Sequence, residues 1–180
     1  MDWTLAVIGL AKLFFGMAVG VIGITVAARA SKRLSGFTSI EEGLRSGNVA
    51  VGITLSGAIL AMGILVQHAV RGTFGALDLL LYAPGEWFRV VWIFVYAIVH
   101  VTAALAVGVL ILSVGTRAFI GLTPDVDEIA EIRGGNVASA LILAVVLVVM
   151  AMLAQLGVQT MLDGLLPLPK LGRDGLVAPG

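Results

Sequence analysis

Lys12, Gln67, His100 and Gln155 are polar side chains that stand inside long, largely apolar stretches of this chain. An ammonium group, an imidazole and two amides within lipid can pass a proton, hold an ion or tie neighbouring helices by hydrogen bonds. Lys12 and His100 are 88 positions apart, and so are Gln67 and Gln155. Helical rise gives their depths: Lys12 is 17 residues from Arg29, about 25 Å, and Gln67 is 19 residues from Asn48, about 28 Å. If Arg29 and Asn48 mark one membrane face, Lys12 and Gln67 share a layer near the other, and His100 with Gln155 repeat it. Three readings stay open. Lys12 snorkels outward as an anchor, the other three bond between helices, or the four line a path for an ion or proton.

A second group recurs with the same spacing. Gly47-Asn48 and Gly135-Asn136 each stand just before a charge-free apolar run. Asparagine there can accept from the first free amides of a helix, with glycine permitting the sharp approach. It can equally contact a partner or an ion. Acids precede both: Glu41 and Glu42 in one case, Asp127, Glu128 and Glu131 in the other. Ser39 with Glu42 makes a capping box for a short helix reaching Leu44, and Thr123-Pro124 offers a second cap with a first-turn proline. Val126, Ile129 and Ile132, three apart, would rest on the membrane surface. The acids read either as solvated groups on short interfacial helices or as a docking face for a basic partner.

Catalytic patterns are missing. The chain has no cysteine and two histidines, and it contains no His-Glu-x-x-His run, no Gly-x-Ser-x-Gly elbow and no Walker loop. No metal site or cofactor is expected, and the chain is not expected to be an enzyme. Eleven basic and eleven acidic side chains cancel, so no basic surface awaits nucleic acid.

The elements that must carry these residues follow from composition. Of 180 residues 59% are apolar and 12% charged, and the mean hydropathy is +1.09. A charged fraction near half the average for a soluble domain points to a polytopic membrane protein. Four stretches have the length of a crossing helix: Leu5 to Ala28, Val49 to Val70, Val90 to Val114 and Val137 to Leu162. The first lacks a positive lead-in and reads as a retained span. Four crossings put both termini on one side. The hairpin loops hold Arg29, Lys32, Arg33, Arg45, Arg117 and Arg133, against Arg71, Arg89, Lys170 and Arg173 opposite. Positive-inside counting leans to cytoplasmic hairpin loops and outward termini.

Self-comparison at a shift of 88 organises the chain. Nine of the 23 positions from Arg45 to Gln67 match those from Arg133 to Gln155. Ala18-Val19-Gly20-Val21 also matches Ala106-Val107-Gly108-Val109. Each unit is a helical hairpin, and the units share one orientation in the membrane. The expected fold is therefore an all-α membrane protein of four transmembrane helices in two tandem, parallel-orientation hairpin repeats, related by an axis along the membrane normal. Residues 1–72 form the first hairpin, 73–88 an interfacial connector turning at Pro84-Gly85 with Trp87 as anchor, and 89–162 the second. Residues 163–180, with Pro167 and Pro169, form a loose tail. Trp3 would anchor the first span. Gly16-x-x-x-Gly20, Gly52-x-x-x-Ser56, Gly57-x-x-x-Ala61 and Ala104-x-x-x-Gly108 supply rows for close helix approach, within the bundle or between copies.

Two hairpins, each with a Gly-Asn-Val-Ala step after a short acidic stretch, resemble the YjfL-like family of bacterial inner-membrane proteins, a domain of unknown function. The steps are Gly47 to Ala50 and Gly135 to Ala138, and the likeness runs over about residues 5–160. It implies a four-span protein of the bacterial inner membrane and assigns no activity or functional residue. The long connector and proline-containing tail depart from the family pattern. Together these readings give a non-catalytic inner-membrane scaffold or subunit, homo-oligomeric, with lipid around it and room for a soluble partner at the hairpin loops. The alternative is an ion or small-solute channel or transporter built on Lys12, His100, Gln67 and Gln155.

Overall fold

A computed structural model describes residues 3–34, 40–82, 87–122, 126–165, 170–172 and 175–177. It is all-helical but for one short hairpin. Four long helices, α1 (Trp3–Leu34), α3 (Val49–Tyr82), α4 (Trp87–Ile120) and α6 (Val137–Leu165), alternate with two short ones, α2 (Ile40–Arg45) and α5 (Glu128–Arg133). Each long helix contains a segment long and apolar enough to cross a bilayer. The chain is a multi-pass membrane protein.

The helices outrun the apolar stretches that define them. α3 and α4 have 34 residues each, about 51 Å at about 1.5 Å per residue, against a hydrocarbon core of about 30 Å. Residues 73–82, expected in a connector, continue α3. They lack proline and are rich in leucine, so nothing stops the helix before Pro84. The turn at Pro84-Gly85 and the side chain of Trp87 lie outside the described residues. Trp3 opens α1 and is exposed. Within the tail two short strands pair, β1 (Lys170–Gly172) and β2 (Gly175–Val177), with Leu171 opposite Leu176. Pro167 and Pro169 lie outside the described residues.

α3 is the hub: it packs against α1, α2, α4, α5 and α6, and its broadest seam is with α6. α1 sits on α3 and α4 and makes no comparable contact with α6. Small residues close these seams. Ala58, Ala61, Ala69, Ala104, Ala140 and Ala151 are fully buried. The tightest approach to a neighbouring backbone is at Gly57, where an added Cβ would lie 2.6 Å from the Cα and Cβ of Ala144. In lipid no hydrophobic drive pulls helices together, so such dry backbone contact supplies the attraction. Met62, Leu65, Leu112, Leu143 and Leu162 fill the remaining space.

Hydroxyls inside the bundle bond to their own helices. Thr54 donates to the Ala50 carbonyl at 3.1 Å, Thr73 to Ala69 at 2.9 Å and Thr116 to Leu112 at 2.9 Å.

Candidate functional site

At the loop end, the two Gly-Asn steps share one local construction. The Gly47 amide donates to Leu44 O at 3.1 Å and the Asn48 amide to Gly43 O at 2.9 Å, closing α2 in a Schellman motif. Gly135 and Asn136 close α5 likewise, onto Ile132 O and Glu131 O. Both glycines have positive φ, 72° and 96°, the left-handed region that glycine enters without a Cβ clash. Each asparagine then caps the following helix. Asn48 Oδ1 accepts from Val51 N at 3.2 Å, and Asn136 Oδ1 from Ala138 N at 3.0 Å and Ser139 N at 3.3 Å. The glycine thus ends one helix and the asparagine begins the next.

Their amide nitrogens differ. Asn48 Nδ2 crosses to the end of α5, donating to Arg133 O at 2.9 Å and Ile132 O at 3.4 Å. Asn136 Nδ2 turns back to Glu131 Oε2 at 3.0 Å. Asn48 therefore ties the start of α3 to the last turn of α5, a contact that spans 84 positions and has no local signature.

Several of the acids that read either as solvated groups or as a docking face make contacts within the chain. Asp127 Oδ1 accepts from Ala130 N at 3.0 Å and is the N-cap of α5. That role was expected of Thr123-Pro124, which lies outside the described residues and four positions ahead of the helix. Glu128 is buried, Glu131 holds Asn136, and Glu41 lies 3.9 Å from Lys32 Nζ. Glu42 is exposed. Ser39, the other half of the expected capping box, lies outside the described residues. Of the three residues expected on the membrane surface, Ile132 is fully buried, because α5 folds inward against α3 and α6.

At the opposite end, the structure does not gather Lys12, Gln67, His100 and Gln155 into one layer. Lys12 Nζ meets Asp78 of α3 at 2.5 Å and lies 5.7 Å from the Phe74 ring centroid. Gln67 is 11 residues back along α3, about 16 Å away, and accepts from Arg71 at 3.4 Å. The assumption that Arg29 and Asn48 are level is what fails. Gly16 meets Phe74 and Gly23 meets Met62, which sets Arg29 beside the second or third turn of α3. α2 fills the difference: Ile40 is buried, and Gly43 lies so close to Val51 that a Cβ would sit 3.0 Å away.

His100 is 1% exposed and clasps α4 to α6. Its Nδ1 is 3.0 Å from Tyr96 O, one turn back, and its Nε2 is 2.9 Å from Leu162 O. Leu162 stands in the last turn of α6, where carbonyls lack a helical partner. Both ring nitrogens thus lie against backbone carbonyls, and the ring can donate to the carbonyl of Leu162, which has no helical partner of its own. The Tyr96 ring stacks on it at 3.8 Å. Gln155 is half-buried seven residues earlier on α6, about 10 Å away. Beside this clasp His68 of α3 reaches Asp163 of α6 at 3.2 Å.

The far end is therefore laced by Lys12–Asp78, His68–Asp163 and His100–Leu162, which join α1 to α3, α3 to α6 and α4 to α6. Asp78, Asp163, His68 and Tyr96 were not singled out from sequence. The signal for Asp78 was the unbroken helical stretch up to Pro84, and for Asp163 its position one residue past an apolar run. Among the described residues no three histidine or carboxylate side chains converge as a metal would need.

Residues 4–158 match a family described as Domain of Unknown Function (DUF350). The chain belongs to the DUF350 family. The match takes in all four long helices up to the last two turns of α6, so Asp163 and Leu162 lie just beyond it while Lys12, His68, Asp78 and His100 lie within. Neither a curated protein nor a solved structure matches this DUF350 chain.

Proposed function

We propose that this DUF350 protein is a non-catalytic oligomeric scaffold or subunit of the bacterial inner membrane, kin to YjfL-like proteins and built from a duplicated hairpin. One observation carries the reading: the centre of the bundle is closed. α1 and α6 make no broad contact, so the seam between α3 and α4 crosses the centre, and there Met62 and Leu65 pack on Gly108 where a path along the bundle axis would have to run. The polar groups that could line such a path are engaged between helices, Lys12 with Asp78 and His100 with Leu162 O. Soluble partners would meet the hairpin-loop end, where Glu42, Arg45 and Leu44 are exposed.

Flux through liposomes containing the purified protein tests this reading. The scaffold reading expects no ion current and no solute uptake above empty vesicles from an intact oligomer. A reproducible current abolished by His100→Leu or Lys12→Met would replace it with conduction.

A further inference from the structure

We infer that the outward face of α1 in one copy docks on the outward face of α6 in the next, re-creating between copies the seam that α3 makes with α4 inside the chain. This rests on the oligomeric reading above and names its surface. The occupant is a second copy because the chain already contains the contact once. Met62 and Leu65 of α3 pack on Gly108 of α4, where an added Cβ would lie 2.5 Å from the Met62 sulfur. Shifted by 88, Met62 and Leu65 become Met150 and Leu153 on α6, and Gly108 becomes Gly20 on α1, all identical in type.

The counterparts do not meet within one chain. Gly20 has nothing within 4 Å, and Leu153 is 76% exposed. Gly157, the counterpart of Ala69, is likewise open, whereas Ala69 is fully buried. Met150 already makes a comparable contact inside the chain, one turn further along its hairpin partner. Met62 Cγ lies 3.8 Å from the Cβ position of Gly23 on its hairpin partner α1, and Met150 Cγ lies 3.8 Å from that of Gly115 on its own partner, α4. The contact that Met62 makes on Gly108 has no counterpart within the chain at Gly20.

Direction agrees as well. α3 and α4 run antiparallel, and so would α6 and the α1 of a copy inserted with the same orientation. The two faces differ, so the contact is head-to-tail, closing into a ring where the rotation permits. Glycine weakens a helix interior, and packing against a neighbouring backbone is what repays it in lipid.

The chain's lack of cysteine gives a clean test. Two differently tagged copies, Gly20→Cys and Leu153→Cys, are co-expressed and oxidised in native membranes, with Gly20→Cys and Leu60→Cys as control, Leu60 being an exposed residue of α3. The expected result is a mixed-tag disulfide at least tenfold above the control. Gly20→Leu should also convert the oligomer to monomer in native mass measurement with helical content unchanged, while Leu60→Phe, at an exposed residue of α3 outside the groove that Gly20 lines, should not. An oligomer without the Gly20–Leu153 link, or one linked chiefly Gly20 to Gly20, overturns the surface and leaves the scaffold reading standing. A monomeric wild type overturns both.

Discussion

Asn48 spends both ends of its side chain, the oxygen on the first turn of α3 and the nitrogen on the last carbonyls of α5. Loss of a side-chain cap costs about 1 kcal/mol, and a second hydrogen bond between elements adds up to a similar amount. Asn48→Ala should therefore destabilise by about 2 kcal/mol, and Asn136→Ala by about 1, because its second bond goes only to the exposed Glu131 five residues back. Asn48→Asp, which keeps the cap and loses the donor, should fall between them. Unfolding in mixed micelles with rising denaturing detergent reads the order. At the other end Lys12→Met leaves the Asp78 carboxylate without its cation. Both groups are partly exposed, so water screens the loss, and about 1 kcal/mol is expected. Lys12→Met with Asp78→Leu should recover most of it by the same measurement. If the double variant is no better than the single one, the pair does not hold α1 to α3.

The seams between elements make sharper demands than any single bond. At Gly57 a methyl group would strike the Ala144 backbone, which cannot move without parting α3 from α6. Gly57→Ala should cost about 2–3 kcal/mol. At Gly108 the obstacle is the end of the Met62 side chain, which can rotate away, so Gly108→Ala should cost less than half as much. Gly63→Ala, into open space, should be neutral or stabilising by up to about 1 kcal/mol. Equal costs at Gly57 and Gly63 would mean that α3 and α6 do not touch as described. The four long helices were legible because a run of about 20 apolar residues has few other solutions in lipid. The two asparagine caps were legible because a Gly-Asn step acts within its own turn. Helix ends were not, since leucine-rich polar-edged stretches such as 73–82 continue a helix until proline forbids it. Nor was the register of α1 on α3, because it depends on how α2 folds into the hairpin. That error misplaced the partner of Lys12, and Asp78 stayed out of view.

For the whole molecule, four crossings set α2 and α5 on one side of the membrane and the end of α6 on the other. We propose from positive-inside counting that the short helices face the cytoplasm. Single cysteines at Ser46 and Val126 should then resist a membrane-impermeant thiol reagent in intact spheroplasts and react once they are opened, while Gly164→Cys reacts at once. Labelling of all three from one side would contradict four crossings, and a reversed pattern would invert the orientation. The buried threonines bear on how such a molecule is made. α3 leaves the ribosome before α4 or α6 has been translated, yet it is the helix on which they both settle. With Thr54 and Thr73 already satisfied by carbonyls one turn behind, it can wait in the bilayer with no hydroxyl bare. For the hydroxyls of α3, insertion and assembly are thereby separable: the later meeting of its alanine and glycine faces with α4 and α6 has no threonine to rescue from lipid.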